Sequence, residues 1–155
     1  MSARAWLAGP DEAEDVARLM IGFRDHYGRS EPPDQAFRAG VARLIADAGT
    51  EYLLAASSDD AAAGGVCQLR YRHSVWTAAE DCWLEDLFVD ETARRAGLGE
   101  ALVECAIGRA RARGCRRIEL DVSQSNGAAW ALYERMGFSP GYKPPAPNLL
   151  MGLWL

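Results

Sequence analysis

Histidine clusters, paired cysteines, a basic field and long apolar runs are all missing from this 155-residue sequence. The two histidines, His26 and His73, stand alone near expected loops, away from any H-x-x-x-H or cysteine pair, so no metal site is expected. Cys67, Cys82, Cys105 and Cys115 show neither C-x-x-C spacing nor the density of a secreted disulfide framework, and they read as reduced, mostly buried thiols. A net charge of -5 with both signs interspersed offers no cationic face to nucleic acid. No stretch approaches the roughly 20 apolar residues of a membrane span. No leader is visible behind Met1 either, so a soluble, cytoplasmic protein without membrane or nucleic-acid partners is expected. Repeats, low-complexity tracts and linkers are absent too. That leaves one domain over residues 1–155, with 49% hydrophobic residues to fill its core.

What is present alternates between two periodicities. After Gly9-Pro10-Asp11, the positions of Val16, Leu19, Met20 and Phe23 predict an amphipathic helix over residues 11–28. Pro32-Pro33-Asp34 interrupts the pattern, and Phe37, Val41, Leu44, Ile45 and Ala48 predict a second helix ending at Gly49. Residues 52–56 and 66–71 are β-type runs around a turn-rich stretch, which predicts a hairpin. A polar interruption from His73 to Asp81 leads into Cys82 to Val89, apolar except for Glu85 and Asp86. Strict alternation groups Glu85 with Trp83, Leu87 and Val89, and Asp86 with Leu84 and Phe88. Each carboxylate then interrupts an apolar face, a costly placement unless it is paired or used. A further helix runs through Leu98, Leu102, Cys105 and Ala106 to Arg109, Arg111 and Arg113, where cations suit the negative end of the dipole. A strand over 116–122, a helix opened by Asn126 and closed by Gly137-Phe138, and a last strand over 149–155 complete one mixed sheet covered by helices.

Between the apolar strand and its helix lies Asp90-Glu91-Thr92-Ala93-Arg94-Arg95-Ala96-Gly97-Leu98-Gly99. Two arginines and two glycines ahead of unpaired helix-start amides make an anion site, and a pyrophosphate fits it. Gly97-Leu98-Gly99 with the later Asp121 imitates a dinucleotide fingerprint. However, Leu102 replaces the third glycine, seven residues separate Val89 from Gly97, and no G-K-S/T follows.

Arg94-x-x-Gly97-x-Gly99 resembles the Q/R-x-x-G-x-G/A pyrophosphate loop of the GNAT N-acetyltransferase superfamily. Leu87-Phe88-Val89 before it, and Asn126 to Tyr133 followed by Glu134-Arg135-Met136-Gly137-Phe138 after it, are similar to that family's flanking cofactor segments. The resemblance implies an α/β (α+β) fold with a mixed, mostly antiparallel central sheet flanked by helices on both faces. It also implies acetyl-CoA as cofactor, held at Leu87, Phe88 and Val89, by Arg94 and the amides of Arg95, Ala96, Gly97, Leu98, Gly99 and Glu100, and by Asn126 and Ala129.

An alkyl amine is protonated at neutral pH, so attack on a thioester needs a base for the amine and an acid for the departing thiolate. Diamine acetyltransferases share a similar L-E-D-L-F/Y-V run, which implies Glu85 as general base and Asp86 as a substrate-binding or supporting charge. The plainer alternative is that either carboxylate simply pairs with Arg70 or Arg72. Tyr133 stands where relatives carry a tyrosine acid, with a packing role as its alternative. The resemblance brings Tyr27, Glu31, Trp76, Trp83 and the segment 142–149 towards the acceptor, implied to be a small-molecule primary amine. A protein or peptide amine and a non-catalytic acyl-CoA-binding module remain alternatives, and the apolar end 149–155 suits a homodimer contact. A ligand at a hundred times its dissociation constant adds about 2.7 kcal/mol of stability. Acetyl-CoA is therefore expected to raise the melting temperature where NADH does not, and Arg94→Ala to weaken that shift. A thermal scan with each ligand checks both.

Overall fold

The computed structural model describes residues 2–140 and 149–155. In chain order the elements are β1 (Arg4–Leu7), a 3-10 turn (Pro10–Glu12), α1 (Ala13–His26), α2 (Asp34–Ile45), β2 (Thr50–Ala56), β3 (Gly65–Ser74) and β4 (Ala79–Val89). A second 3-10 turn (Glu91–Ala93), α3 (Leu98–Ala112), β5 (Ile118–Glu119) and α4 (Gly127–Arg135) follow. They group into two compact units, Met1–Asp121 and Val122–Leu155.

In the first unit the sheet order is β1-β2-β3-β4-β5, antiparallel throughout except for the parallel β4–β5 pair. Alternation assigns its two faces. Tyr52, Leu54, Val66 and Phe88 pack with Val16, Leu19 and Met20 of α1 and Val41 of α2. On the other face, Gly65 lies beside Ala55 and against Leu98 and Leu102 of α3. Helices thus cover both faces, and every residue of the interior strand β2 is buried, as a doubly covered strand requires.

The start of α1 is fixed locally. The Glu12 carboxylate accepts from the Gly9 amide at 3.1 Å and from the Trp6 indole at 2.9 Å. The expected helix over 11–28 is accordingly a 3-10 turn joined to a shorter α1 that ends at His26.

The polar residues 73–81 do not break the sheet. Only 75–78 form a turn, and β3 and β4 pair out to Ser74↔Ala79. Side-chain cations make this possible: Arg113 binds Glu80 at 3.2 Å, and Asp81, 4% exposed, is held by Arg117 and by the Thr77 hydroxyl at 3.0 Å. Two further expectations are corrected. The strand over 116–122 is reduced to Ile118–Glu119, because its ladder with β4 stops after Trp83, where β4 becomes irregular. Residues 149–155 form no strand, since an apolar run without a ladder partner is not one, and their large side chains are exposed. Among the described residues no helix is long and apolar enough to cross a membrane.

The C-terminal arginines of α3 do more than complement its dipole. Glu51 accepts from Arg109 through Nε at 3.2 Å and Nη2 at 2.5 Å, and from the Tyr71 hydroxyl at 2.5 Å. Burial pushes the Glu51 carboxyl up, and the hydrogen bonds from Arg109 and Tyr71 outweigh that, so it lies below its ordinary value. Arg113 sits 4.0 Å over the Tyr71 ring.

In the second unit, the Asn126 side chain caps α4 by accepting from the Ala129 amide at 3.2 Å. Gly137 closes it with φ of 98°, and the Phe138 amide donates to the Tyr133 carbonyl at 2.9 Å.

Gly64 sets a tight joint between the β2–β3 hairpin and the turn after β4. It accepts from the Asp90 amide at 2.8 Å, and a Cβ on it would lie 2.5 Å from the Ala93 Cβ. Neither atom has a flexible end to move away, so Gly64→Ala is expected to destabilise the protein by about 1–3 kcal/mol. Urea unfolding measures the loss.

Candidate active site

β3 and β4 pair in register from Gly65↔Val89 to Gln68↔Asp86, then resume at Leu69↔Leu84. Glu85 is the extra residue that β3 cannot match, a β-bulge. Its effect is on direction. Asp86 and Phe88 face α1 and α2 together with Gln68 and Val66. Glu85 reaches the same side, its Oε2 lying 3.7 Å from Nη1 of Arg70. The alternation that separates the two carboxylates in the sequence therefore fails here, and both stand on one face.

Their environments differ. The Glu85 and Arg70 side chains are 40% and 43% exposed, and 3.7 Å exceeds hydrogen-bond length, so the expected pairing with an arginine exists as a loose contact. Asp86 pairs with neither arginine and makes no hydrogen bond among the described residues. Burial, then the charge of Glu85, pushes its carboxyl up to about 6.

An aromatic group adjoins them. Phe23 stacks on Phe88 at 5.2 Å, Tyr27 lies 5.1 Å from Phe23, and His26 lies 6.0 Å from Phe88. Tyr27, expected near the acceptor, is 65% exposed on this group. Phe23 and His26 are additions: the sequence placed Phe23 in the core stripe and gave His26, near the helix end, no role, although 23, 26 and 27 share one helical face. Trp83 is the register partner of Arg70, just past the bulge. Glu31 is exposed, and Trp76 is 92% exposed at the β3–β4 turn. Residues 142–148 of the expected acceptor segment lie outside the described residues, and Leu149 is exposed.

Beyond β4 the chain prepares an anion site. Arg95 and Gly97 have φ of 65° and 80°, and Gly97 caps α3 without a side-chain acceptor. The first bond into the helix is Ala101 N–H to the Gly97 carbonyl at 3.0 Å, so the amides of Gly97, Leu98 and Gly99 have no intrahelical acceptor. Left-handed residues beside unpaired helix-start amides fit a diphosphate. Arg94 is turned differently from expectation, with Nε donating to the Val89 carbonyl at 3.2 Å. Two groups expected at the cofactor are thus bonded to each other, while the guanidinium keeps its outer nitrogens. The outer edge of β4 pairs with β5 only at Cys82 and Trp83, so Leu84 to Val89 have no ladder on that side among the described residues. An extended amide-bearing arm fits such an edge at Leu87, Phe88 and Val89.

In the second unit, the Asn126 oxygen and the Ala129 amide are joined by the α4 cap. Tyr133 is 8% exposed, with its ring edge-on to Phe138 at 5.7 Å. Among the described residues no group of three or more His, Cys, Asp or Glu is placed to hold a metal ion.

The raised Asp86 carboxyl links stability to pH. The folded state holds its proton more tightly than the unfolded chain does, so wild-type stability falls as pH rises from about 4 through about 6. Asp86→Asn removes that loss. It is expected to be more stable than wild type by about 1–3 kcal/mol at pH 8, an advantage that disappears near pH 4. Denaturant titrations at the two pH values check the sign.

Known proteins are similar to this chain in sequence and architecture. The profile of the acetyltransferase (GNAT) family matches residues 15–138. Glucosamine 6-phosphate N-acetyltransferase 1 of Oryza sativa subsp. japonica is 30% identical over 156 residues, covering 97% of this chain and 87% of that protein. The ribosomal protein bS18-alanine N-acetyltransferase of Escherichia coli (strain K12) is 42% identical over 60 residues, covering 39% of this chain and 40% of its own. The fold recurs in the aminoglycoside N-acetyltransferase AAC(6')-Iy, solved with CoA, at a TM-score of 0.76 and 18% identity over 99% of this chain and 94% of that one. With a family match over most of its length and an anion loop at the start of α3, the chain belongs to the acetyltransferase (GNAT) family and is an acetyl-CoA-dependent N-acetyltransferase.

Proposed function

We propose that this enzyme acetylates a primary amine of a small molecule by direct attack, with Glu85 as base, Asp86 as the charge that receives the ammonium, and Tyr133 as acid for the departing thiolate. The bulge at Glu85 carries the proposal, because it sets two carboxylates with different burial on one face of β4, beside the strand end that leads into the anion loop. Acetyl-CoA, when bound, supplies the activated acetyl group.

The chain's own residues divide the remaining work. The amides of Gly97, Leu98 and Gly99 hold the pyrophosphate, and the open edge of β4 orients the arm. Asp86 is ionised above about pH 6 and attracts the protonated amine. Glu85, part-exposed and only loosely held by Arg70, accepts the proton and passes it to water. The aromatic group of Phe23, Tyr27 and Phe88 gives a cation a polarisable wall. The small-molecule reading is supported by the rice relative, which matches nearly the whole chain and whose name specifies an amino sugar phosphate. The relative named for a protein alanine matches a much shorter part.

Thiol release with a panel of small amines and an alanine-terminated peptide tests the proposal. Small amines are expected to turn over faster than the peptide. Glu85→Gln and Tyr133→Phe are each expected to lower kcat by about 10²–10⁴-fold while acetyl-CoA still binds. Full activity in both variants would refute the roles of Glu85 and Tyr133, and turnover of the peptide alone would move the acceptor to proteins.

A further inference from the structure

Three polar side chains stand in a row across the sheet beside the bulge. Tyr52 of β2 is the register partner of Gln68 of β3, and Gln68 is the partner of Asp86 of β4. Register partners share a face, and this is the face of α1 and α2, where Tyr52 packs with Val16 and Phe88. Tyr52 is 2% exposed and Gln68 4%. Among the described residues none of the three side chains makes a hydrogen bond or an ion pair.

A core strand gains nothing from such residues, because leucine or phenylalanine would pack there without losing hydration. Among the described residues no fully buried side-chain nitrogen or oxygen lacks a partner, so the polar ends of Gln68 and Tyr52 keep part of the small exposure left to these residues. The Tyr52 hydroxyl is pushed up to about 12 by burial and then by the charges of Asp86 and Glu85, which sets it within the field of both carboxylates. Three unpaired polar groups lined up on one sheet face are the mark of a site completed by its ligand.

Their chemistry narrows that ligand. Ionised Asp86 only accepts, which suits an ammonium, while the Gln68 amide and the Tyr52 hydroxyl each donate and accept. Neighbouring Cβ atoms in such a row are about 4.5–5.5 Å apart, so a group bonded close to the amine falls between Gln68 and Tyr52. That group is neutral, since two carboxylates stand beside it and the nearest cation, Arg70, faces Glu85. A hydroxyl both donates and accepts, and so matches both partners.

Resting on the amine-acceptor reading above, we propose that the Tyr52–Gln68–Asp86 row is a specificity subsite that selects amines with a hydroxyl on the neighbouring carbon. The ammonium lies at Asp86, and the hydroxyl lies between Gln68 and Tyr52.

The test uses 2-aminocyclohexanol and cyclohexylamine, a pair matched in ring and amine, with the wild-type enzyme, Gln68→Leu and Tyr52→Phe. The wild type is expected to favour the amino alcohol in kcat/KM by about tenfold or more, and each variant to lower that ratio by about tenfold. Melting temperatures are expected not to fall, because both substitutions put apolar atoms into a core. A wild-type ratio near one, or equal losses with both amines that leave the ratio unchanged, would overturn the proposal. If the wild type acetylates neither amine, the functional reading fails by itself and thermal stabilisation by each amine in the presence of CoA decides the subsite. Greater stabilisation by the amino alcohol, lost in Gln68→Leu, supports the subsite, and equal or absent stabilisation overturns it.

Discussion

A ladder can match one residue of β4 to one residue of β3, and between Asp86 and Leu84 there is one residue too many. The backbone must bulge, and side-chain direction along the rest of the strand follows from where it does so. On the Val89 side of the bulge, Phe88 and Asp86 point to α1 and α2. On the other side the pairing resumes one step out of phase, so Leu84 remains opposite Leu69 in the apolar interior. Without the extra residue, alternation would put Glu85 and Asp86 on opposite faces, and one of them would enter the core under α3. The irregularity thus keeps both layers apolar while delivering two charges to the same place.

Placement of the anion loop depends on α3 being held along its whole length. Arg109 grips Glu51 in β2, and Arg113 lies over Tyr71 while bridging to Glu80. At the other end, Leu98 and Leu102 lie against Gly65, and the turn before the helix is pinned where Ala93 meets Gly64. A buried ion pair is a poor source of net stability, since desolvation offsets much of its attraction. Its contribution in α3 is positional: a helix fixed against three strands cannot slide, and its first amides stay at the end of β4.

The periodic parts of this architecture were legible because each residue's partner is implied by its neighbours. The stripes of Val16 to Phe23 and Phe37 to Ile45, the doubly covered run through Tyr52 and Leu54, and Gly97 at the start of α3 all belong to that class. Features requiring a distant partner were not. Nothing around Glu80 and Asp81 announces that Arg113 and Arg117 will let a polar stretch continue a strand. The same holds for the phase slip at Glu85, which depends on β3, and for Leu149 to Leu155, whose apolar pattern found no ladder. Gln68 and Tyr52 passed unremarked because a single polar residue in a strand carries no signal until its cross-strand neighbours are known.

The short β4–β5 ladder also bears on how copies of the protein meet. From Leu84 to Val89 the outer edge of β4 presents main-chain donors and acceptors at the spacing of a strand, and such an edge does not distinguish a cofactor arm from any other extended chain. Two molecules meeting edge to edge there would each cover the other's unladdered main-chain groups. If the proposed arm lies along this edge, a second strand laid there would compete with it for the same main-chain groups.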